Sequence, residues 1–277
     1  PKALNLVNEF RAFYICALRI ALKSFSVCEK YCNLRSMITL GKYHPPAIME
    51  PFTPFWWECM VMIILIITIV VRVPFHFKKV NPKTYATFIA LFFSINFIVE
   101  NYNVYQQGYW NLQQNLPVHL CSISYFLCIA LLINYKQWVA ECVYYWGLAG
   151  GIHALLTPEF TVGMDGYNFY AYFINHAGML LVVAYMILHL NFRPRPKSWI
   201  RMFGYTQLVA IGVGIVNYLV GANYMYLSAK PEVENPFLIG EWPYYIIVLE
   251  AVAVLHFWVF YLPFAKKNKQ EAINASL

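Results

Sequence analysis

Residues 61–71 read Val-Met-Ile-Ile-Leu-Ile-Ile-Thr-Ile-Val-Val, an uninterrupted apolar run without a single charged side chain. A helix that is apolar on every side belongs in a large core or in lipid. Six further stretches repeat the theme. The apolar runs fall at about 57–73, 85–101, 118–134, 138–156, 169–189, 202–220 and 244–264. Each reaches or approaches the ~20 residues that a bilayer core requires. In lipid, backbone polar groups must be satisfied within the segment, so the runs are read as helices. The expected fold class is all-α: a polytopic transmembrane helix bundle of about seven spanning helices, forming one domain over residues 37–277.

Composition argues against a soluble alternative. Only 12% of the residues are charged and 60% are hydrophobic, whereas soluble domains average about 25% charged. Such a chain cannot clothe a soluble surface. The 22 Tyr and 8 Trp fit a pair of interfacial belts. The net charge of +7 sits mostly between apolar runs rather than on a phosphate-binding face, so no nucleic-acid partner is expected. The cysteines (Cys16, Cys28, Cys32, Cys59, Cys121, Cys128 and Cys142) contain no CxxC pair and read chiefly as small buried residues.

Charge placement sets the expected orientation. Arg72, Lys78, Lys79 and Lys83 follow the first run and Lys136 the third. Arg193, Arg195, Lys197 and Arg201 follow the fifth, and Lys266, Lys267 and Lys269 the seventh. Residues 102–117 and 157–168 contain no Lys or Arg, and Lys230 is alone in the last such loop. The positive-inside rule puts the basic set in the cytosol, the N-terminus outside and the C-terminus inside. Residues 1–36 conflict with this, because they carry Lys2, Arg11, Arg19, Lys23, Lys30 and Arg35. Either they form an amphipathic surface helix, or the natural protein starts at Met37; the second removes the conflict. Pro74, Pro194 and Pro196 read as helix stops. Gly147, Gly150, Gly151, Gly212 and Gly214 read as sites of close helix approach.

Polar residues inside spans are costly and mark function by default. At the expected outer ends stand Glu100, Asn101 and Asn103, then Pro117, His119 and Cys121, then His153. Asn175 and His176 lie about two turns into the fifth run, Asn217 and Asn223 close the sixth, and Glu250 lies near the start of the seventh. The inner half holds fewer such groups: Glu141, His189 and His256. An outward-opening polar cavity accounts for the bias. Its candidate binding residues are His119, His153, Asn175, Asn217, Asn223 and Glu250.

Within it, Cys121 falls in the first two turns of the third run, where a helix dipole favours a thiolate. His119, two residues away, points to another face, whereas His176 has a compatible depth on a different helix. A Cys–His pair is the minimum equipment for covalent acyl transfer. Packing is the competing role for both residues. A metal site from His119, Cys121, His153 and His176 is chemically conceivable, but no ligand spacing supports it; neither metal nor cofactor is expected.

The stretches LPVHLCSIS (116–124), YYWGLAGGIHALLTPE (144–159), GANYMYLSAKP (221–231), EWPYYIIVLE (241–250) and YLPF (261–264) resemble the YwaF-like family of bacterial integral membrane proteins. The resemblance covers about residues 37–265 and leaves residues 1–36 unmatched. That family is distantly similar to a eukaryotic transmembrane protein described as a cysteine-dependent acyltransferase of ether phospholipids. The resemblance implies Cys121 as its cysteine, after Leu-Pro-x-x-Leu, and His176 as its histidine. Other distant relatives are lipid-ester hydrolases that use Thr with His. Three functions follow as expectations: a lipid acyltransferase or lipid-ester hydrolase, a carrier or channel, and a non-catalytic lipid-binding protein. Membrane lipids are the expected partners of each. In the enzyme reading, Asn217, Asn223 or a backbone N–H holds the oxyanion, and Lys230 is a candidate for a headgroup phosphate.

Overall fold

The computed structural model describes residues 47–77, 80–164, 166–230 and 237–274; the expectations for residues 1–36 lie outside them. Seven α-helices follow one another among the described residues: α1 (Pro54–His76), α2 (Pro82–Gln106), α3 (Leu120–Ile133), α4 (Gln137–Leu156), α5 (Tyr167–His189), α6 (Ser198–Val220) and α7 (Tyr244–Asn274). Each falls on one of the seven apolar runs. The helices α1, α2, α5, α6 and Tyr244–Ala265 of α7 are long and apolar enough to cross a membrane. The protein is a multi-pass membrane protein.

The helix starts follow from local chemistry. Thr53 caps α1, its side chain accepting from the Trp56 N–H, with Pro54 in the first turn. Asn81 caps α2 through a 2.9 Å bond from the Lys83 N–H, again with proline next. Such prolines cost no hydrogen bond, because a first-turn N–H has no helical partner. Gly221 ends α6 in the left-handed conformation at φ 68°, where a residue without Cβ carries no strain.

Pro74 corrects one expectation: it lies inside α1 rather than ending it. It stands so close to the C-terminus that the turn beyond it still closes, with Phe77 N–H bonded to Val73 O at 3.0 Å. Pro194 and Pro196 do lie in the connection before α6.

The helix α4 is central, packed against α3, α5, α6 and α7, while α5 packs against α1 to α4. Burial follows: Ala140, Glu141, Val143 and Tyr145 on α4, and Val182, Tyr185 and Met186 on α5, are sealed from solvent. Of the glycines, Gly147, Gly150 and Gly151 of α4 meet neighbouring atoms closely. Gly212 and Gly214 do not: nothing lies within 4 Å of where their Cβ atoms would be. They face outward, which corrects their expected packing role. At one end of the bundle, β1 (Ala47–Ile48) pairs antiparallel with β2 (Glu159–Phe160), and the Trp56 indole donates to Leu155 O at 2.8 Å. The α4–α5 connection is thereby tied to the start of α1.

Candidate active site around Cys121

The helix α3 has only fourteen residues, a length of about 21 Å at 1.5 Å per residue. The hydrocarbon core is about 30 Å thick. The sequence run starts at 118, yet the helix starts at Leu120, because Leu116, Pro117 and Val118 form a tight turn closed by a 2.8 Å bond from Val118 N–H to Leu116 O. Cys121 is therefore the second residue of α3. The N-cap residue, His119, makes no side-chain cap. Its Nδ1 instead accepts from the Met225 N–H at 3.3 Å, leaving the first N–H groups of α3 uncapped beside the cysteine.

Two adjacent glycines bring α3, α4 and α5 together here. A Cβ on Gly150 would stand 3.1 Å from the Cys121 sulfur, and one on Gly151 would stand 3.0 Å from the backbone oxygen of His176. Cys121 and His176 thus lean on neighbouring positions of one helix. His176 Nδ1 lies 2.8 Å from Tyr172 O. A carbonyl only accepts, so Nδ1 carries the proton and Nε2 keeps its lone pair. The Tyr172 and His176 rings pack tilted, 4.3 Å between centroids. No hydrogen bond joins Cys121 to His176 among the described residues; such pairs are often loose without substrate and tighten on binding.

Tyrosines complete the surroundings. Tyr172 donates its hydroxyl to Ala154 O at 2.8 Å and accepts from the Glu159 N–H at 3.3 Å. Tyr226, after α6, packs its ring 6.0 Å from that of His119. Both phenols are close enough to Cys121 to interact with it electrostatically. Burial, then Glu159 and Cys121, push the Tyr226 phenol up, so it holds its proton at neutral pH. Burial likewise raises the Glu159 carboxyl. Sequence pattern gives no warning of either tyrosine, because a lone aromatic in a loop or on a helix carries no spacing.

The other expected binding residues are committed elsewhere. Asn217 exchanges two hydrogen bonds with the Tyr224 backbone, at 2.9 and 2.8 Å. Asn223 accepts from the N–H groups of Ser228 and Ala229 and donates to Ala229 O. Both hold the α6–α7 connection in shape. Asn175 donates to Glu100 at 2.9 Å and accepts from Asn96 at 2.8 Å. Asn96 is also reached by the hydroxyl of Tyr167 at 2.6 Å and lies 3.2 Å from that of Tyr125. Sequence reasoning missed this network, although Asn96 and Glu100, four residues apart, share a helix face. Glu250 accepts from Gln207 at 2.6 Å, and Lys230 reaches Gly240 O at 3.4 Å.

His153 does not join Cys121 and His176. Its Nε2 lies 3.1 Å from Nε2 of His256 on α7, whose Nδ1 donates to Val252 O at 2.7 Å. The two imidazoles are thus hydrogen-bonded to each other, away from Cys121. Among the described residues, no three His, Cys, Asp or Glu side chains gather in metal-binding geometry.

Residues 49–261 match the TMEM164 family. An uncharacterized protein of Treponema pallidum (strain Nichols) is 26% identical over 157 residues, 55% of this chain and 63% of that relative. The chain thus spans less than two thirds of the length of that curated relative. No solved structure matches the chain.

Proposed function

The chain belongs to the TMEM164 family, and from that premise we propose that it is a membrane enzyme that transfers or hydrolyses lipid acyl groups. Cys121 is its nucleophile and His176 its general base. The observation that carries this reading is that adjacent glycines of α4 admit the Cys121 sulfur and the His176 backbone, with the Cys121 thiol and the His176 Nε2 unpaired among the described residues. Cys128 and Cys142 offer no such surroundings, since both are buried in the core.

The chemistry is a two-step acyl transfer. As the Cys121 sulfur bonds to the ester carbonyl carbon, its proton passes to His176 Nε2. A standing thiolate–imidazolium pair is costly in a low-dielectric site, so proton transfer accompanies attack. The tetrahedral intermediate then expels the alkoxide, which takes the proton from Nε2. His176 next deprotonates water or a lipid hydroxyl, whose oxygen attacks the thioester and releases the Cys121 thiol. The Tyr172 carbonyl keeps Nε2 as the basic nitrogen throughout. The uncapped N–H groups of α3 can meet the developing oxyanion.

Substrates in this reading are ester lipids of the outer leaflet of a bacterial cytoplasmic membrane, with the N-terminus outside and the C-terminus in the cytosol. The Arg and Lys residues clustered at the opposite end of the bundle support that orientation. The narrower YwaF-like assignment draws its support from the order of motifs between residues 116 and 264. The carrier reading is weaker, because Glu141 and His189 are bonded locally, to Arg195 and to Val71 O, rather than lining a path.

The test uses the full chain in nanodiscs containing phospholipid with an isotope-labelled acyl chain. Mass spectrometry should show labelled lysolipid products or exchanged acyl chains with the parent, and at least a ~10³-fold loss in Cys121→Ser. Equal turnover in C121S, or none by folded parent protein, would overturn the proposal.

A further inference from the structure

Resting on that reading, we propose that Tyr226 is the side-chain oxyanion donor of the Cys121 site. The argument begins with backbone. Met225 and Tyr226 both adopt left-handed conformations, at φ 55° and 54°. Each costs a residue with a Cβ roughly 1–2 kcal/mol, and such strain persists only where surrounding structure enforces it.

The enforcement is visible on four sides. Asn217 pins Tyr224 by two backbone hydrogen bonds. The Tyr224 hydroxyl donates to Leu112 O at 2.8 Å and accepts from the Leu116 N–H at 2.8 Å. His119 Nδ1 holds the Met225 N–H, and the Tyr245 hydroxyl is bonded to the Tyr226 carbonyl. These contacts draw on α3, α6, α7 and the α2–α3 connection, and all converge on one turn. Their combined effect is to lay the Tyr226 ring against His119, two residues from Cys121.

The hydroxyl itself is the second observation. Every other tyrosine hydroxyl named at this end is in use: Tyr172 on Ala154 O, Tyr224 on Leu112 O, Tyr245 on Tyr226 O. The Tyr226 hydroxyl has no hydrogen-bond partner among the described residues, although its side chain is largely covered and interacts electrostatically with Cys121. The hydroxyl is not sealed in the core, so an incoming substrate oxygen can reach it. A tetrahedral oxyanion supplies that partner. When the sulfur–carbon bond forms, the carbonyl π pair moves onto oxygen, and the Tyr226 O–H donates to it without giving up its proton. When the carbonyl reforms, the pair returns and the alkoxide leaves with the proton held by His176.

The experiment separates this role from packing. Purified full-length parent and Tyr226→Phe are reacted with p-nitrophenyl hexanoate, following acyl-Cys121 by intact mass and p-nitrophenolate by absorbance. In parallel, Cys121 alkylation by iodoacetamide is timed by peptide mass spectrometry. Acylation passes through an oxyanion; alkylation does not. We expect Tyr226→Phe to slow acylation by roughly 10²-fold, the effect of removing one oxyanion donor, while alkylation stays within about twofold. Unchanged acylation in Y226F overturns the assignment, as does an equal loss in both reactions, which marks a packing role. Failure of the parent to form acyl-Cys121 overturns the enzyme reading beneath it.

Discussion

The two ends of the bundle handle polar groups in opposite ways. At the basic end, Glu141 is fully buried and is bonded by Arg195 through backbone N–H, Nε and Nη2, at 2.8, 3.0 and 2.7 Å. Tyr145 pairs with Ser198, Tyr185 donates to Pro82 O, and His189 bonds Val71 O. Among the described residues, Nε and Nη2 of Arg201 are the exception there: both are buried without hydrogen-bond partners, with Nη2 3.7 Å from Glu141. At the other end, Cys121, the His176 Nε2 and the Tyr226 hydroxyl have no hydrogen-bond partner among the described residues, and the start of α3 has no side-chain cap. Satisfied polar groups fasten connections to the bundle. Unsatisfied ones, held in place by satisfied neighbours, are what a reaction needs.

Substitutions can break that contrast, and the largest effect belongs to the nucleophile. Cys121→Ser should abolish acyl transfer, by at least about 10³-fold, with no loss of thermal stability, since the serine oxygen is smaller than the sulfur it replaces. A matching fall in melting temperature would make Cys121 a packing residue. Glu141→Ala should do the reverse. It should destabilise the protein by about 3 kcal/mol, toward the low end for breaking a buried pair because Arg195 keeps contact with water, and leave the Cys121 alkylation rate unchanged. Denaturation in detergent, together with labelling under native conditions, checks both halves.

Gly151→Ala comes next. Its methyl would meet Leu180 at 2.9 Å and the His176 oxygen at 3.0 Å, an overpacking expected to cost about 2 kcal/mol and to displace His176. Acylation should fall more than stability alone explains; Gly212→Ala, on an open face, should leave both intact. The smallest effect concerns Glu159. Burial raises its folded-state pKa, so the ionised carboxylate opposes folding at neutral pH and the penalty fades as pH falls through that value. Glu159→Gln should therefore stabilise the protein at pH 7 by no more than about 0.5 kcal/mol, since the group is partly exposed and screened. The gain should vanish near pH 4, as paired thermal melts would show.

The helices were legible because lipid demands length and apolarity, and both are properties of a segment rather than of its surroundings. The start of α3 was misplaced by two residues because Leu116 and Val118 extend the apolar run, while the turn closing through Pro117 leaves no trace in hydropathy. Gly150 and Gly151 announced close contact, but which atoms they admit depends on packing between helices. Gly212 and Gly214 show the opposite error, since the same residue type facing outward has the same sequence signature. Cys121 and the His176 backbone, which meet adjacent glycines of α4, lie 55 positions apart, and His153 and His256 lie 103 apart. Neither distance can be read from local spacing. Tyr226 was least legible of all: left-handed backbone usually calls for Gly or Asn, and here tertiary contacts impose it on Met and Tyr.

The most direct measurement of the central claim is the pH profile of Cys121 alkylation by iodoacetamide in membranes, comparing the parent with His176→Ala. If the two residues act as a pair, the parent labels readily near pH 7. The variant then slows by at least about tenfold there, within the range of a positioned general base, and recovers only as pH climbs past the ordinary thiol range. Superimposable profiles, at a Cys121 shown to be accessible, would contradict the pairing and leave this cysteine as part of the packing between α3 and α4.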